Sequence, residues 1–246
     1  MKRAVITGAA TGIGKATAAW LIERDYEVIG VGRTRDTLEV ARGELGARFC
    51  PLVVDVRAAG ALRSALAGRG PFHAVVANAG LCRRAGVADE DADEVWEEVI
   101  GINLHGVWNT FRATHAELAD DGRAVVVSSG LGKLGRPGYG AYAASKHAVL
   151  GLTKCLSKEL AARRITVNAV CPGWVDTAMA RADVGKNAEE AGISWEQAYA
   201  QATSPIPLGR FVTERETAEL IGWLLSEASS GMTGQALNIS CGEFFA

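Results

Sequence analysis

Arg3-Ala4-Val5-Ile6-Thr7-Gly8-Ala9-Ala10-Thr11-Gly12-Ile13-Gly14 runs from an apolar stretch into a glycine-rich turn and then into a helical pattern. Arg3 to Thr7 reads as a buried strand that stops at Gly8. Apolar residues resume at helical spacing from Ile13 through Ala16, Ala19, Trp20 and Ile22. Glycine at a strand-to-helix junction lets the backbone turn tightly and approach a ligand. The free N–H groups of the helix start then attract a pyrophosphate. The opening βαβ unit therefore predicts an α/β fold with a phosphate cradle at Gly8, Thr11, Gly12, Ile13 and Gly14.

The next strand, Val28 to Val31, leads into Gly32-Arg33-Thr34-Arg35. In a doubly wound dinucleotide fold the end of this strand meets the adenosine ribose. An acidic residue there would bind a 2′-hydroxyl and repel a 2′-phosphate. Arg33 offers a guanidinium instead, with Arg35 close by, and that favours NADP, with NAD as the alternative. A third strand, Leu52 to Val56, places Asp55 to accept a hydrogen bond from an adenine amino group, with Val56 beside it. Strand four, Phe72 to Ala77, ends at Asn78-Ala79-Gly80. Near-continuous apolar strands separated by helices predict a doubly wound parallel sheet of about seven strands with helices on both faces. Ligands bind such sheets at the carboxyl ends of the strands, where each of these polar motifs falls.

Asp89 to Asp93 reads as a helix N-terminus favoured by the dipole, ahead of Val95, Trp96, Val99 and Ile100. Asn103 lies inside that long helix, where its side chain competes for backbone groups. It marks either a bent, water-binding site or an ordinary exposed asparagine. Asp120-Asp121-Gly122 closes the helix before strand five, Arg123 to Ser128. Tyr142 and Lys146 stand four apart on a further helix that continues through Ala148, Val149, Leu152, Leu156 and Leu160. That spacing sets a phenol beside an ammonium on one face. A fixed cation favours the phenolate and lowers the phenol pKa, so the pair can exchange a proton with a substrate oxygen near neutral pH. Ser128-Ser129 lies just upstream.

From Ala178 to Arg210 the pattern loosens around Gly185, Gly192 and Ser204-Pro205-Ile206-Pro207, which predicts a substrate lid over about 178–210. Met179, Trp195, Tyr199 and Ile206 either touch substrate or pack the lid to the body. Arg83, Arg84 and Arg181 either attract an anionic substrate or stay solvated. Thr213 to Glu216 reads as a capping box, and Gln235 to Ile239 as a final edge strand.

The 246 residues suit one domain, 1–246, with 48% hydrophobic and 22% charged residues. A formal net charge of -2 without a basic block excludes nucleic acid and anionic membrane surfaces as expected partners. Five scattered cysteines suit reduced thiols, and neither they nor the four histidines have metal-ligand spacing. The chain enters a strand at once and has no apolar run of transmembrane length, so a cytoplasmic protein is expected.

Taken in order, these motifs resemble the short-chain dehydrogenase/reductase family in its branch of about 250 residues, with a Rossmann-like fold. Thr7 to Gly14 resembles the family's cofactor loop. Ala77-Asn78-Ala79-Gly80 resembles its Asn-Asn-Ala-Gly motif, with alanine replacing the first asparagine. Asn103, Ser129, Tyr142 and Lys146 fall where the family has its catalytic tetrad. Cys171-Pro172-Gly173-Trp174-Val175-Asp176-Thr177 resembles its Pro-Gly motif.

The resemblance implies hydride transfer between a nicotinamide and a ketone or secondary alcohol. Tyr142 would exchange the proton, Ser129 would hydrogen-bond the substrate oxygen, and Lys146 would lower the Tyr142 pKa and bind the nicotinamide ribose. Asn103 would hold a water. Asn78, Ala79, Gly80, Pro172, Gly173, Val175 and Thr177 would complete the cofactor site, with Thr177 and the backbone holding the carboxamide. The C-terminal half looks most like bacterial 3-oxoacyl and aromatic-polyketide ketoreductases, which implies reduction of an oxoacyl, polyketide-like or cyclic ketone. The alternatives are an NAD-dependent alcohol, hydroxyacyl or diol dehydrogenase, or a non-catalytic dinucleotide-binding regulator. Relatives that dock an acyl carrier protein use two basic places; Arg163-Arg164 suits one, but Asp120-Asp121 holds the other. A free or coenzyme A-linked substrate is an equal expectation. The family pattern also implies a homotetramer, with Phe244-Phe245 buried against a neighbour.

Overall fold

Apolar residues alternate along the strands between two faces of one sheet. The computed structural model describes residues 1–245. Its strands are β1 (Lys2–Thr7), β2 (Tyr26–Gly32), β3 (Phe49–Val53), β4 (Phe72–Ala77), β5 (Leu118–Val127), β6 (Thr166–Pro172) and β7 (Ala236–Ile239). They pair in parallel in the order β3-β2-β1-β4-β5-β6-β7. Val5, Val75, Val126 and Val167 face a core shared with α3 (Ala59–Leu66), α5 (Gly106–Thr114) and α6 (Gly140–Glu159). Ala4, Ile6, Val76 and Val125 face the opposite core, under α1 (Gly12–Ile22), α2 (Arg35–Leu45) and α9 (Glu214–Leu224). Period-two side-chain alternation thus feeds both layers. A fully buried side chain such as Leu66 or Phe111 contributes about 1.5–3 kcal/mol.

The chain winds outward from β1 to β3, then crosses back to place β4 on the other side of β1. The strand order reverses there and opens a crevice beyond Thr7 and Ala77. The doubly wound sheet read from the sequence is therefore present, and β7 is an edge strand.

Several boundaries differ from expectation. Strand β3 stops at Val53, because Asp55 turns away to bind Arg57. Strand β5 starts at Leu118, and Asp120-Asp121-Gly122 belongs to it instead of closing a helix. Leu118 pairs with Phe72 and Arg123 with Ala74, so Ala119 to Gly122 bulge opposite His73, with Asp121 at φ 60°. Helix α5 has already ended at Thr114.

The loosened segment after β6 forms two helices, α7 (Ala178–Ala191) and α8 (Trp195–Thr203). They share a small core of Ala180, Val184, Ala188, Ala198, Ile206 and Phe211. Gly192, left-handed at φ 64°, ends α7, and a Ser194–Gln197 capping box opens α8. A chain of rings joins α8 to the body: Trp195 stacks on Tyr199 at 5.1 Å, Tyr199 meets Phe211 tilted at 4.8 Å, and Phe211 stacks on Trp174 at 5.1 Å. Tyr199 and Ile206 therefore pack, whereas Met179 stays half-exposed. The Thr213–Glu216 capping box opens α9 as expected. Phe244 is buried within its own chain against Gly130, and Phe245 is exposed; the expected burial of both against a neighbour does not describe Phe244. No helix among the described residues is long and apolar enough to cross a membrane.

Candidate active site

The crevice is built first by hydrogen bonds between the ends of β1 and β4. The Thr7 hydroxyl accepts the N–H groups of Asn78 and Ala79, each at 3.1 Å. Asn78 Nδ2 donates to the carbonyl oxygens of Thr7 and Gly8, each at 3.0 Å. Asn78 therefore staples the glycine turn to β4, and its amide protons are spent on that task. Gly8 takes φ 66°, where a side chain would be strained, and a Cβ at Gly14 would run into the Gly8 carbonyl.

The first intrahelical bond of α1 runs from Lys15 N–H to the Thr11 carbonyl at 3.2 Å. The N–H groups of Gly12, Ile13 and Gly14 precede it and are open to an anion, with no acidic residue in that turn. At the end of β2, Arg33 is exposed and has neither a hydrogen bond nor an ion pair among the described residues. These donors fit the phosphates of a dinucleotide. Asp55 and buried Val56 lie beyond β3; Arg57 grips the Asp55 carboxylate at 2.7 Å and holds its carboxyl below the usual range. Both Asp55 oxygens accept from Arg57, Oδ1 from its backbone N–H and Nε and Oδ2 from its Nε and Nη2.

Helix α6 carries Tyr142 and Lys146 on one face, as their spacing predicts. Ser129 follows β5 and caps a short turn through Leu131 N–H at 3.1 Å. Its hydroxyl neighbours the Tyr142 phenol and favours the phenolate. Lys146, 4% exposed, donates to the Val127 carbonyl at 2.9 Å and lies 5.6 Å from the Tyr142 ring centroid.

Asn103 sits in a π-helical turn, Gly101–His105, between α4 (Ala92–Ile100) and α5. The wider turn drives its side chain fully into the core. There its Nδ2 donates to the Leu81 carbonyl at 2.9 Å and the Ser145 hydroxyl at 3.1 Å, while Oδ1 accepts Leu81 N–H at 2.8 Å. Ser145 in turn donates to the Tyr142 carbonyl at 2.7 Å. The asparagine is a clamp between the loop after β4 and the start of α6, with both amide protons engaged.

The protonation balance also differs from the sequence argument. Burial pushes the Tyr142 phenol up from its ordinary 10.0, the neighbouring Cys82 adds to this, and only the Ser129 hydroxyl pulls it down. Burial pushes Lys146 down to about 8. Desolvation outweighs the attraction expected between the pair, because both groups leave water together. Cys82, itself pushed up to about 11 by burial, is a site neighbour the motifs did not announce.

The Pro-Gly motif closes the crevice from the β6 side. Val175 bridges Val212, and Thr177 caps α7 through Ala180 N–H at 3.2 Å. The Thr177 methyl faces Gly12, so the segment from Pro172 and Gly173 to Thr177 meets the glycine turn. Gly80 faces both Asn103 and Lys146. The candidate residues thus gather at one end of the sheet.

The three candidate anion-attracting arginines are all neutralised. Arg83 pairs with Asp91, Glu94 and Glu98; Arg84 with Asp183 and Glu190; Arg181 with Asp176.

A family described as enoyl-(acyl carrier protein) reductase matches residues 8–243. The 3-oxoacyl-acyl-carrier-protein reductase of Thermotoga maritima is 36% identical, over 98% of this chain and 97% of its own. An actinorhodin polyketide ketoreductase variant solved with NADPH superposes with a TM-score of 0.91 at 35% identity, covering 98% of this chain and 97% of its own. A short-chain dehydrogenase family protein of Francisella tularensis superposes with a TM-score of 0.91 at 28% identity, covering 99% and 98%.

The chain belongs to the short-chain dehydrogenase/reductase family.

Membership makes it an oxidoreductase acting on ketone and CH–OH groups. Within this short-chain dehydrogenase/reductase, sequence reasoning missed the hydroxyl contacts of Thr7 and Ser145 and the nearness of Cys82. Thr7 carried a faint signal, as a polar residue ending an apolar strand. Ser145 lay unremarked between Tyr142 and Lys146.

Proposed function

We propose that the protein is an NADP-dependent ketone reductase, with residues 1–246 as one catalytic domain and 178–210 as the cover of its substrate site. The neighbouring Ser129 and Tyr142 hydroxyls, one turn from buried Lys146 at the carboxyl end of the sheet, carry the reading. When bound, NADPH supplies the hydride. Gly8, Thr11, Gly12, Ile13 and Gly14 would hold its pyrophosphate, and Arg33 its 2′-phosphate. Asp55 and Val56 would serve the adenine, Ala79, Gly80 and Lys146 the ribose, and Pro172, Gly173, Val175 and Thr177 the carboxamide.

Tyr142, pushed above its ordinary range, keeps its proton at neutral pH and donates it to the substrate carbonyl oxygen. Ser129 donates a second hydrogen bond to the same oxygen as negative charge develops. Once the proton has left, the Lys146 ammonium stabilises the phenolate. Asn103 keeps the helix start and the loop after β4 in register through Ser145 and Leu81.

The substrate is an oxoacyl, polyketide-like or cyclic ketone that arrives free or linked to coenzyme A. Arg163 and Arg164, the basic pair that suits carrier-protein docking, are bound by Asp120 and Asp121 at 2.9 and 2.7 Å. Those contacts cancel the charge an acidic carrier would meet. Trp96 and Trp108 are half-exposed on α4 and α5, and an apolar face there suits assembly into a homotetramer. The cysteines are free thiols, as suits the cytoplasm.

A Tyr142→Phe variant tested against a ketone panel with NADPH should lose about 10²–10⁴-fold in kcat and keep its cofactor affinity. Wild-type turnover by that variant would overturn the assignment.

A further inference from the structure

Between the α7–α8 cover and the body lies a cavity of about 470 Å3, lined by Arg136, Trp174, Asn187, Glu190, Gln201 and Glu243 among others. Arg136 belongs to the segment joining Ser129 to Tyr142, and Trp174 follows the Pro172-Gly173 turn. Two of its lining residues thus lie on segments that lead along the chain to the proposed reaction site.

Its charges are unevenly occupied. Glu190 is paired with Arg84 at 3.1 Å, and Asn187 accepts from the same guanidinium at 3.0 Å. Arg136 is exposed, and its guanidinium has no hydrogen bond or ion pair among the described residues. It lies over two aromatic rings, 5.7 Å from the Tyr139 centroid and 5.9 Å from that of Trp174. Ring faces hold a guanidinium in place without using its N–H donors.

Glu243 marks the same cavity as built for a polar ligand. Its carboxylate accepts the Trp174 backbone N–H, while Oε2 is buried without a partner. Burial pushes this carboxyl up, while the Trp174 backbone N–H and the positive charge of Arg136 pull it back down, so Arg136 and Glu243 face the same cavity with opposite preferences for an anion.

We propose that this cavity is the substrate-recognition subsite and that Arg136 is its specificity-determining residue, anchoring a carboxylate carried by the ketone substrate. The inference rests on the ketone-reductase reading above. It narrows the substrate to an oxo acid.

The test uses an oxocyclohexanecarboxylate and its methyl ester, which differ only in that charge. Binding of each to the full-length protein saturated with NADP is measured by calorimetry, for wild type, Arg136→Ala and Arg136→Lys. A charge-assisted bidentate contact predicts a carboxylate preference of about tenfold or more in the wild type. That preference should vanish in Arg136→Ala and survive in part in Arg136→Lys. No wild-type preference, including no measurable binding of either ketone, overturns the proposal, as does a preference that persists in Arg136→Ala. NADPH oxidation by the wild type, measured in parallel, separates the two readings. Carboxylate preference without turnover keeps the anchor and sinks the reductase. Turnover of both ketones without preference does the reverse.

Discussion

Asn103 and Leu81 exchange two hydrogen bonds: Leu81 N–H donates to Asn103 Oδ1 at 2.8 Å, and Asn103 Nδ2 donates back to the Leu81 carbonyl at 2.9 Å. The asparagine treats the loop as an adjacent strand would, and its remaining proton reaches Ser145 on α6. One side chain thereby registers the loop after β4 against the helix that carries Tyr142.

Replacing Asn103 by alanine strands the Leu81 backbone groups in a buried site. The loss should be about 2–4 kcal/mol of stability. Urea denaturation of the variant should show a lower midpoint with an unchanged slope, and kcat should fall as Ser145 loses its anchor. An unaltered midpoint would show that the clamp contributes nothing.

Lys146 supplies a pH dependence of known sign. Its folded value, pushed down to about 8, lies below the ordinary 10.5, so the unfolded chain binds the proton more tightly. Below about pH 8 both states are protonated and the cost of burying the charge is fully present. Stability from this group should rise as pH climbs from about 8 toward 10.5. A Lys146→Met variant should gain about 1–3 kcal/mol at pH 7, and the gap to wild type should narrow by pH 9.5. A gap of constant size across that window contradicts the assignment.

Arg33 is offered as the reader of the 2′-phosphate. Arg33→Glu should weaken NADPH binding by about 10–100-fold, with little loss for NADH, because a charge-assisted contact becomes a repulsive one. Titrating both reduced cofactors by fluorescence decides it. Equal wild-type affinities would remove this role from Arg33.

Asp183 ties the cover to the body. It accepts the Tyr139 hydroxyl at 2.9 Å and lies 3.4 Å from Arg84, and its charge, after burial, pushes the Tyr139 phenol up to about 12. Asp183→Ala should raise the substrate KM several-fold and speed proteolysis within 178–210, since few other polar contacts hold α7. An unchanged cleavage rate would show the cover to be held by its apolar core alone.

What could be read without coordinates was whatever repeats locally. The strand-to-helix break at Gly8, the four-residue step from Tyr142 to Lys146 and the Thr213–Glu216 cap depend on periods of a few residues. The same was true of the apolar strand runs and hence of the doubly wound sheet. The cover was legible as a segment but not as helices, because Gly185, Gly192 and its charges break up the apolar pattern of α7. The bulge at Ala119 to Gly122 was read as a helix end, because acidic residues before a glycine serve either purpose.

The sequence by itself determined the sheet, the glycine turn and the pairing of Tyr142 with Lys146 on one helix face, since these follow from backbone geometry and side-chain spacing along one element. Only the tertiary structure decided what those groups experience. Asn103 found Leu81 22 residues away, and Arg84 found Asn187 103 residues away, because strand order brings those segments together. Tyr142 moved up and Lys146 moved down because both are buried, and the desolvation that shifts them is a property of the packed whole.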